Sequence, residues 1–153
     1  MSRRSRAREV ALQLLYHHNI NSDMPRSWVE KFIHERVNEP DGEAFCLTIY
    51  DGVLIHLEAI DSQLTAAAEN WKLARMTTVD RNVLRIGAYE ILHSPEIPAA
   101  VAIDESIELV RRYGTEDSPS FVNGVLDRIL QVKKAEAVHP LPSADSPASQ
   151  SVA

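Results

Sequence analysis

The residues best suited to chemistry in this chain are cations and aromatic rings. Arg3, Arg4, Arg6 and Arg8 fall within the first eight positions with no acid among them, and Tyr16 follows two turns after Arg8. Asp80, Arg81 and Arg85 lie together further on. Thr115 to Ser118 form a short polar stretch, with Phe121 just beyond. Arginine offers forked donors to phosphate, and aromatic rings stack on unpaired bases. Free amides at a helix start favour an anion nearby. Such a set suits single-stranded RNA, whose unpaired bases can be splayed and stacked. The same residues also read as a solvated basic terminus with Tyr16 and Phe121 in the core, and spacing alone does not bring them to one face.

Other chemistry finds little support. The five glycines, at 42, 52, 87, 114 and 124, never form a phosphate-cradling loop pattern. Cys46 sits between Phe45 and Leu47, the setting of a small apolar filler rather than an activated thiolate. Glu90 and His93 make one Glu-x-x-His pair, but di-iron bundles need two plus companion glutamates. His93 reads instead as a histidine at a helix C-terminus, where an imidazolium favours the dipole. His56 reads as a half-buried, hydrogen-bonded histidine. His17 and His18 are adjacent and point to different helix faces. No enzyme, no metal site and no cofactor are expected.

The 153 residues make one ordinary domain, and folding at that length removes roughly 70% of the exposed surface. The chain is 44% hydrophobic and 25% charged, neither a disordered nor a membrane profile. A lone cysteine fits a reducing cytoplasm, so a soluble, cytoplasmic protein with no membrane partner is expected. Val10 to Tyr16 is too short and too polar for a secretory signal. The net charge of −6 argues against nucleic acid only until its distribution is seen: the arginines gather at one end.

The elements that must position these groups are helices, and no segment alternates with the period of a strand. Ala7, Val10, Ala11, Leu14 and Leu15 stripe a first helix. Trp28, Val29, Phe32, Ile33 and Val37 give a second its inner side, and Asn38 to Gly42 read as a turn in which Gly42 tolerates positive φ. From Glu43 a long helix is expected to run to Trp71, striped by Phe45, Ile49, Val53, Ile60, Leu64, Ala67 and Trp71. Gly52 inside it costs up to about 1 kcal/mol relative to alanine, which close approach of a neighbouring helix would offset. Thr77 to Asp80 read as a capping box opening a helix through Val83, Leu84, Gly87, Ala88, Ile91 and Leu92. Ile103, Ile107 and Val110 stripe the next, with Gly114 as its C′ residue. Ser118 and Pro119 read as N-cap and N1 of a last helix buried through Val122, Val125, Leu126 and Ile129. The result is an all-α fold of six to seven helices in two small packed subdomains sharing one core. Residues 1–137 form that domain, and the Pro- and Ser-rich stretch 138–153 reads as a disordered tail.

Three blocks then carry a resemblance. RRSRAREVALQLLY at the start, VDRNVLRIGAYEIL in the middle, and VAIDESIELVRRYG followed by SPSFVNGVLDRIL near the end resemble the signature blocks of the NusB transcription antitermination factors, in order and at fitting separations. The resemblance spans roughly Arg3 to Lys134. It implies two helical subdomains without catalysis and the binding of boxA-type single-stranded RNA in ribosomal transcripts. It also implies NusE, a small-subunit ribosomal protein, as partner, and loading of both onto the RNA polymerase antitermination complex. Carried over by position, Arg4, Arg6, Arg8 and Tyr16 match the family's basic RNA-contacting segment. Asp80 and Arg85 match the polar face of the middle block. Phe121 and Asn123 match the helix start near the RNA, and Asp117 the loop near the partner. Asp104 stands where the family usually has asparagine, and Ser5 interrupts the arginine run.

Two other readings stay open at this stage. Similar helical domains begin some RNA methyltransferases, although no cofactor-binding domain fits after Val138. A structural, partner-binding bundle with a merely solvated basic start is the other. The residues are also compatible with a homodimer.

Overall fold

A computed structural model describes residues 2–69 and 71–138. Their helices are α1 (Arg3–Ile20), α2 (Arg26–Val37), α3 (Pro40–Ile55), α4 (Leu57–Ala67), α5 (Thr78–His93), α6 (Ala99–Tyr113) and α7 (Ser118–Val138). A 3-10 turn, Leu73–Arg75, leads into α5, and the described residues contain no strand. None of the helices is long and apolar enough to cross a membrane. The all-α expectation holds. Val138, expected to start the tail, is instead the last residue of α7, and 139–153 lie outside the described residues.

Each stripe finds a partner. α1 lies against α3 and α5, and α2 braces α1 and α3. Around α5 gather α4, α6 and α7, so α5 touches both groups and the two share one continuous apolar cluster. Leu14, Ile49, Ile60, Leu84 and Leu126 are fully enclosed there, each contributing about 1.5–3 kcal/mol through burial. Where α3 crosses α5, a Cβ at Gly52 would overlap the Tyr89 ring. The helix cost of that glycine is offset by contact, as its position predicts.

The helix ends depart from expectation in instructive ways. Asn38 to Gly42 do not form a free turn. Glu39 caps α3 by accepting from the Asp41 and Gly42 N–H groups at 3.1 and 2.6 Å, and Pro40 supplies the first helical position. The Gly42 hydrogen bond also holds the Glu39 carboxyl below its ordinary pKa. The left-handed residue is Asn38 (φ 49°) and not Gly42. The long helix from Glu43 is broken at His56 (φ −100°, ψ 15°). The break lets α3 pack on α1 while α4 turns to α5 and α7. Trp71 therefore falls outside the stripe it was expected to continue and is 60% exposed. Trp28 is also substantially exposed and lies over Phe32.

At α5 the Thr77 hydroxyl accepts from the Asp80 N–H at 3.1 Å, but the reciprocal half of the box is missing. Asp80 Oδ1 is enclosed without a hydrogen-bond partner. Gly114 is no left-handed C′ residue (φ −95°); a Cβ there would press on Ser118 Oγ and the Val110 carbonyl. Ser118 does not cap α7 from outside. It is the helix's buried first residue, and its hydroxyl accepts from the Thr115 N–H at 2.9 Å.

His93 is no capping imidazolium either. Its ring stacks on His56 with centroids 3.9 Å apart and planes 10° from parallel. Burial, His56 and Lys133 push its pKa below the ordinary value, and the Lys133 ammonium donates to the Ile91 carbonyl nearby.

Candidate nucleic-acid interface

The basic segment is the first two turns of α1, started by the Ser2 hydroxyl, which accepts from the Ser5 N–H at 3.0 Å. The arginines there face different ways. Arg3 is exposed and within 3.6–3.7 Å of Glu39 and Asp41. The Arg4 guanidinium sits 4.7 Å above the Phe45 ring and forms no ion pair among the described residues. Arg6 donates to Glu9 at 2.7 Å and to the Arg36 carbonyl at 3.1 Å.

Arg8 is different. Its side chain is 3% exposed and donates twice, at 2.7 Å each, to a Glu90 carboxylate that is 1% exposed. Such a paired fork satisfies both charges inside the core. An RNA contact from Arg8 is corrected on this ground: the guanidinium is spent on α5 and does not reach the surface. Arg85 meets a similar fate. It makes a forked pair with Asp61 of α4 at 2.9 Å and also donates to Asn82, leaving its side chain 12% exposed.

Tyr16 is 49% exposed on the rim of a hollow of about 430 Å³. Leu12, Phe32 and Val79 line its apolar floor, and Arg36 and Tyr113 stand at its edge. The Arg36 guanidinium lies 3.6 Å from the Phe32 ring centroid, a cation–π contact that fixes it. Glu9 links this edge to α1, holding Arg6 on one side and Arg112 on the other at 3.2 Å. The Tyr113 hydroxyl keeps its proton above the ordinary range through burial and then through Glu9.

A second hollow, of about 610 Å³, gathers Asp80, Asp117 and Phe121. Trp71, Arg75 and Arg128 line it too, and the Trp71 and Phe121 ring centroids are 5.9 Å apart. Phe121 is half-buried, so a ring face remains available beside the core. Arg128, seven residues after Phe121 on α7, donates to the Ala67 carbonyl at 2.7 Å. Asn123 is exposed and lines neither hollow.

The two hollows meet at the start of α5. Thr78 and Val79 line the first, whereas Thr77 and Asp80 line the second; Tyr113 and Thr115 divide in the same way. Tyr16, Asp80, Asp117 and Phe121 therefore lie along one connected edge, Arg6 reaches it through its hydrogen bond to the Arg36 carbonyl, and Arg8, Arg85 and Asn123 do not join it. Trp71, Arg75, Arg36 and Arg128 are additions. Trp71 was hidden by its fit to the helical stripe, and the three arginines carry no local signal. Cations and rings share this edge with the Asp80 and Asp117 carboxylates, and those cations and rings are the chemistry for backbone phosphates and stacked bases. Among the described residues, no three His, Cys, Asp or Glu side chains gather as a metal site. Cys46 is enclosed, and burial pushes its thiol up to about 12.

The chain is similar to known proteins over most of its length. The model of the NusB family matches residues 5–131. The transcription antitermination protein NusB of Sorangium cellulosum is 45% identical over 131 residues, covering 86% of this chain and 94% of the relative. That of Desulfitobacterium hafniense is 42% identical over 135 residues, covering 86% and 89%. The solved structure of T. maritima NusB superposes with a TM-score of 0.73 at 36% identity, covering 86% of this chain and 92% of the other. A chain from the crystal structure of antitermination factors NusB and NusE in complex with dsRNA gives a TM-score of 0.76 at 27% identity, covering 86% and 98%.

Proposed function

We propose that this chain, which belongs to the NusB family of transcription antitermination proteins, binds boxA-type single-stranded RNA of ribosomal transcripts along the edge running from α1 to α7. The single observation that carries this reading is the connected edge itself. Arg36 and Tyr16 at the first hollow, and Arg75, Arg128 and the Trp71–Phe121 pair at the second, supply phosphate donors and stacking faces, while the surface arginines Arg4 and Arg6 open the helix that carries Tyr16. The family's activity is antitermination rather than catalysis.

The partner follows from the same reading. NusE accompanies NusB and RNA in one of the similar solved structures, and Asp117 beside the second hollow is the residue assigned to such a contact. The pair would then join the RNA polymerase antitermination complex. Mixing this protein with purified NusE and a boxA-like RNA tests the assignment by size-exclusion chromatography. A ternary complex that a scrambled RNA of equal composition fails to form is the expected result. Equal behaviour of the two RNAs would remove the boxA assignment.

A further inference from the structure

Ser5, which breaks the arginine run, makes a long-range contact from the first turn of the basic segment. Its hydroxyl lies 2.8 and 2.9 Å from the two carboxylate oxygens of Glu105, on α6 and a hundred residues away. Ser2 Oγ in turn donates to Ser5 Oγ at 2.8 Å, so the residue that caps α1 feeds a relay ending on Glu105. Glu105 also comes within 3.8 Å of the Arg8 guanidinium. Apolar packing joins α1 chiefly to α3 and α5. Its side-chain ties to α6 include Ser5 and Arg8 with Glu105 and Glu9 with Arg112.

The first turn of a helix frays unless something holds it, because its amides lack partners in the chain. Here that turn carries Arg3, Arg4 and Arg6, the cations left on the surface. Phe45 of α3 holds one side of it through Arg4, and Glu105 holds the other through Ser5. We propose that Glu105 is a positioning residue for RNA binding: through Ser5 it fixes the first turn of α1 so that Arg4 and Arg6 meet the RNA backbone already in place. Holding the donors before RNA arrives removes part of the ordering cost from the binding step.

This inference rests on the RNA-binding reading, and its sign separates it from plain electrostatics. Glu105→Gln deletes a negative charge beside the basic segment. By charge alone the variant should bind a polyanion more tightly. Positioning demands the opposite, because a carboxamide accepts the Ser5 proton more weakly than a carboxylate does.

The experiment measures the affinity of the full chain for a boxA-like single-stranded RNA, comparing wild type, Glu105→Gln, Ser5→Ala, the double variant and Ser5→Thr. Thermal unfolding of each preparation confirms that the fold is intact. Glu105→Gln and Ser5→Ala should each weaken binding by roughly threefold to tenfold, the scale of one hydrogen bond. The double variant should be no weaker than the worse single one, since both remove the same contact. Ser5→Thr, which keeps the hydroxyl, should bind like wild type. Equal or tighter binding by Glu105→Gln while wild type binds would overturn the positioning role and leave the RNA reading standing. Additive losses in the double variant would overturn it as well. Absence of RNA binding by wild type would overturn both.

Discussion

Arg8 offers the sharpest separation between a residue that holds the fold and one that holds RNA. It looks like a member of the basic cluster, yet its fork is joined to Glu90 by two 2.7 Å hydrogen bonds inside the core. Arg8→Ala strands an enclosed carboxylate, and breaking a buried pair from one side costs about 3–5 kcal/mol. For a chain of this length each kcal/mol lowers the midpoint by about 2–4 °C, so Tm should fall by about 6–20 °C. The assay is thermal unfolding followed by circular dichroism, with urea unfolding on the same preparation. Replacing both partners, Arg8→Met with Glu90→Leu, should restore most of the loss because no enclosed charge is then left unpaired. RNA affinity of the double variant should remain near that of wild type. An Arg8→Ala protein with unchanged Tm and lost RNA binding would refute this account, because Arg8 would then be a phosphate contact.

Three further outcomes are expected. Phe121→Ala removes a stacking face worth about 1–3 kcal/mol of binding, so RNA affinity should fall by roughly tenfold; normal binding by a destabilised variant would return Phe121 to the core alone. The folded-state pKa of His93 lies below its ordinary 6.5, so the unfolded chain binds the extra proton. The stabilisation is present above about pH 6.5 and is lost as pH falls through the depressed folded value. His93→Gln should flatten that acid-side decline in urea midpoints. Cys46, with its thiol pushed up to about 12, should resist alkylation in the folded protein and react at normal rates in denaturant; rapid native labelling would show that it is open to solvent.

The sequence carried the helices because apolar periodicity is local. Val10, Leu14 and Leu15, or Val122, Val125 and Leu126, announce their buried sides without help from the rest of the chain. It carried the Thr77 cap and the close approach at Gly52 for the same reason. The break at His56 was hidden because Val53 and Ile60 are seven residues apart, so the stripe reads straight through it. Trp71 fitted the continuation of that stripe and was lost with it. The site was legible only in part. Arg4 and Arg8 are one helical turn apart and identical in type, yet Glu90, eighty-two positions away, takes Arg8 into the core. Asp61 does the same to Arg85. Partners so distant leave no mark on local spacing, whereas the exposed Tyr16 and the half-buried Phe121 stand beside stripes already complete without them.

The central claim is that the surface arginines at the start of α1 hold RNA phosphates. The direct test is the salt dependence of affinity for a boxA-like single-stranded RNA, for wild type and for an Arg4→Ala, Arg6→Ala variant. If Arg3, Arg4 and Arg6 neutralise about three phosphates, log K against log salt should slope near −2, and the variant should be shallower by about 1.4. Equal slopes for the two proteins, with helicity intact in both, would contradict the account.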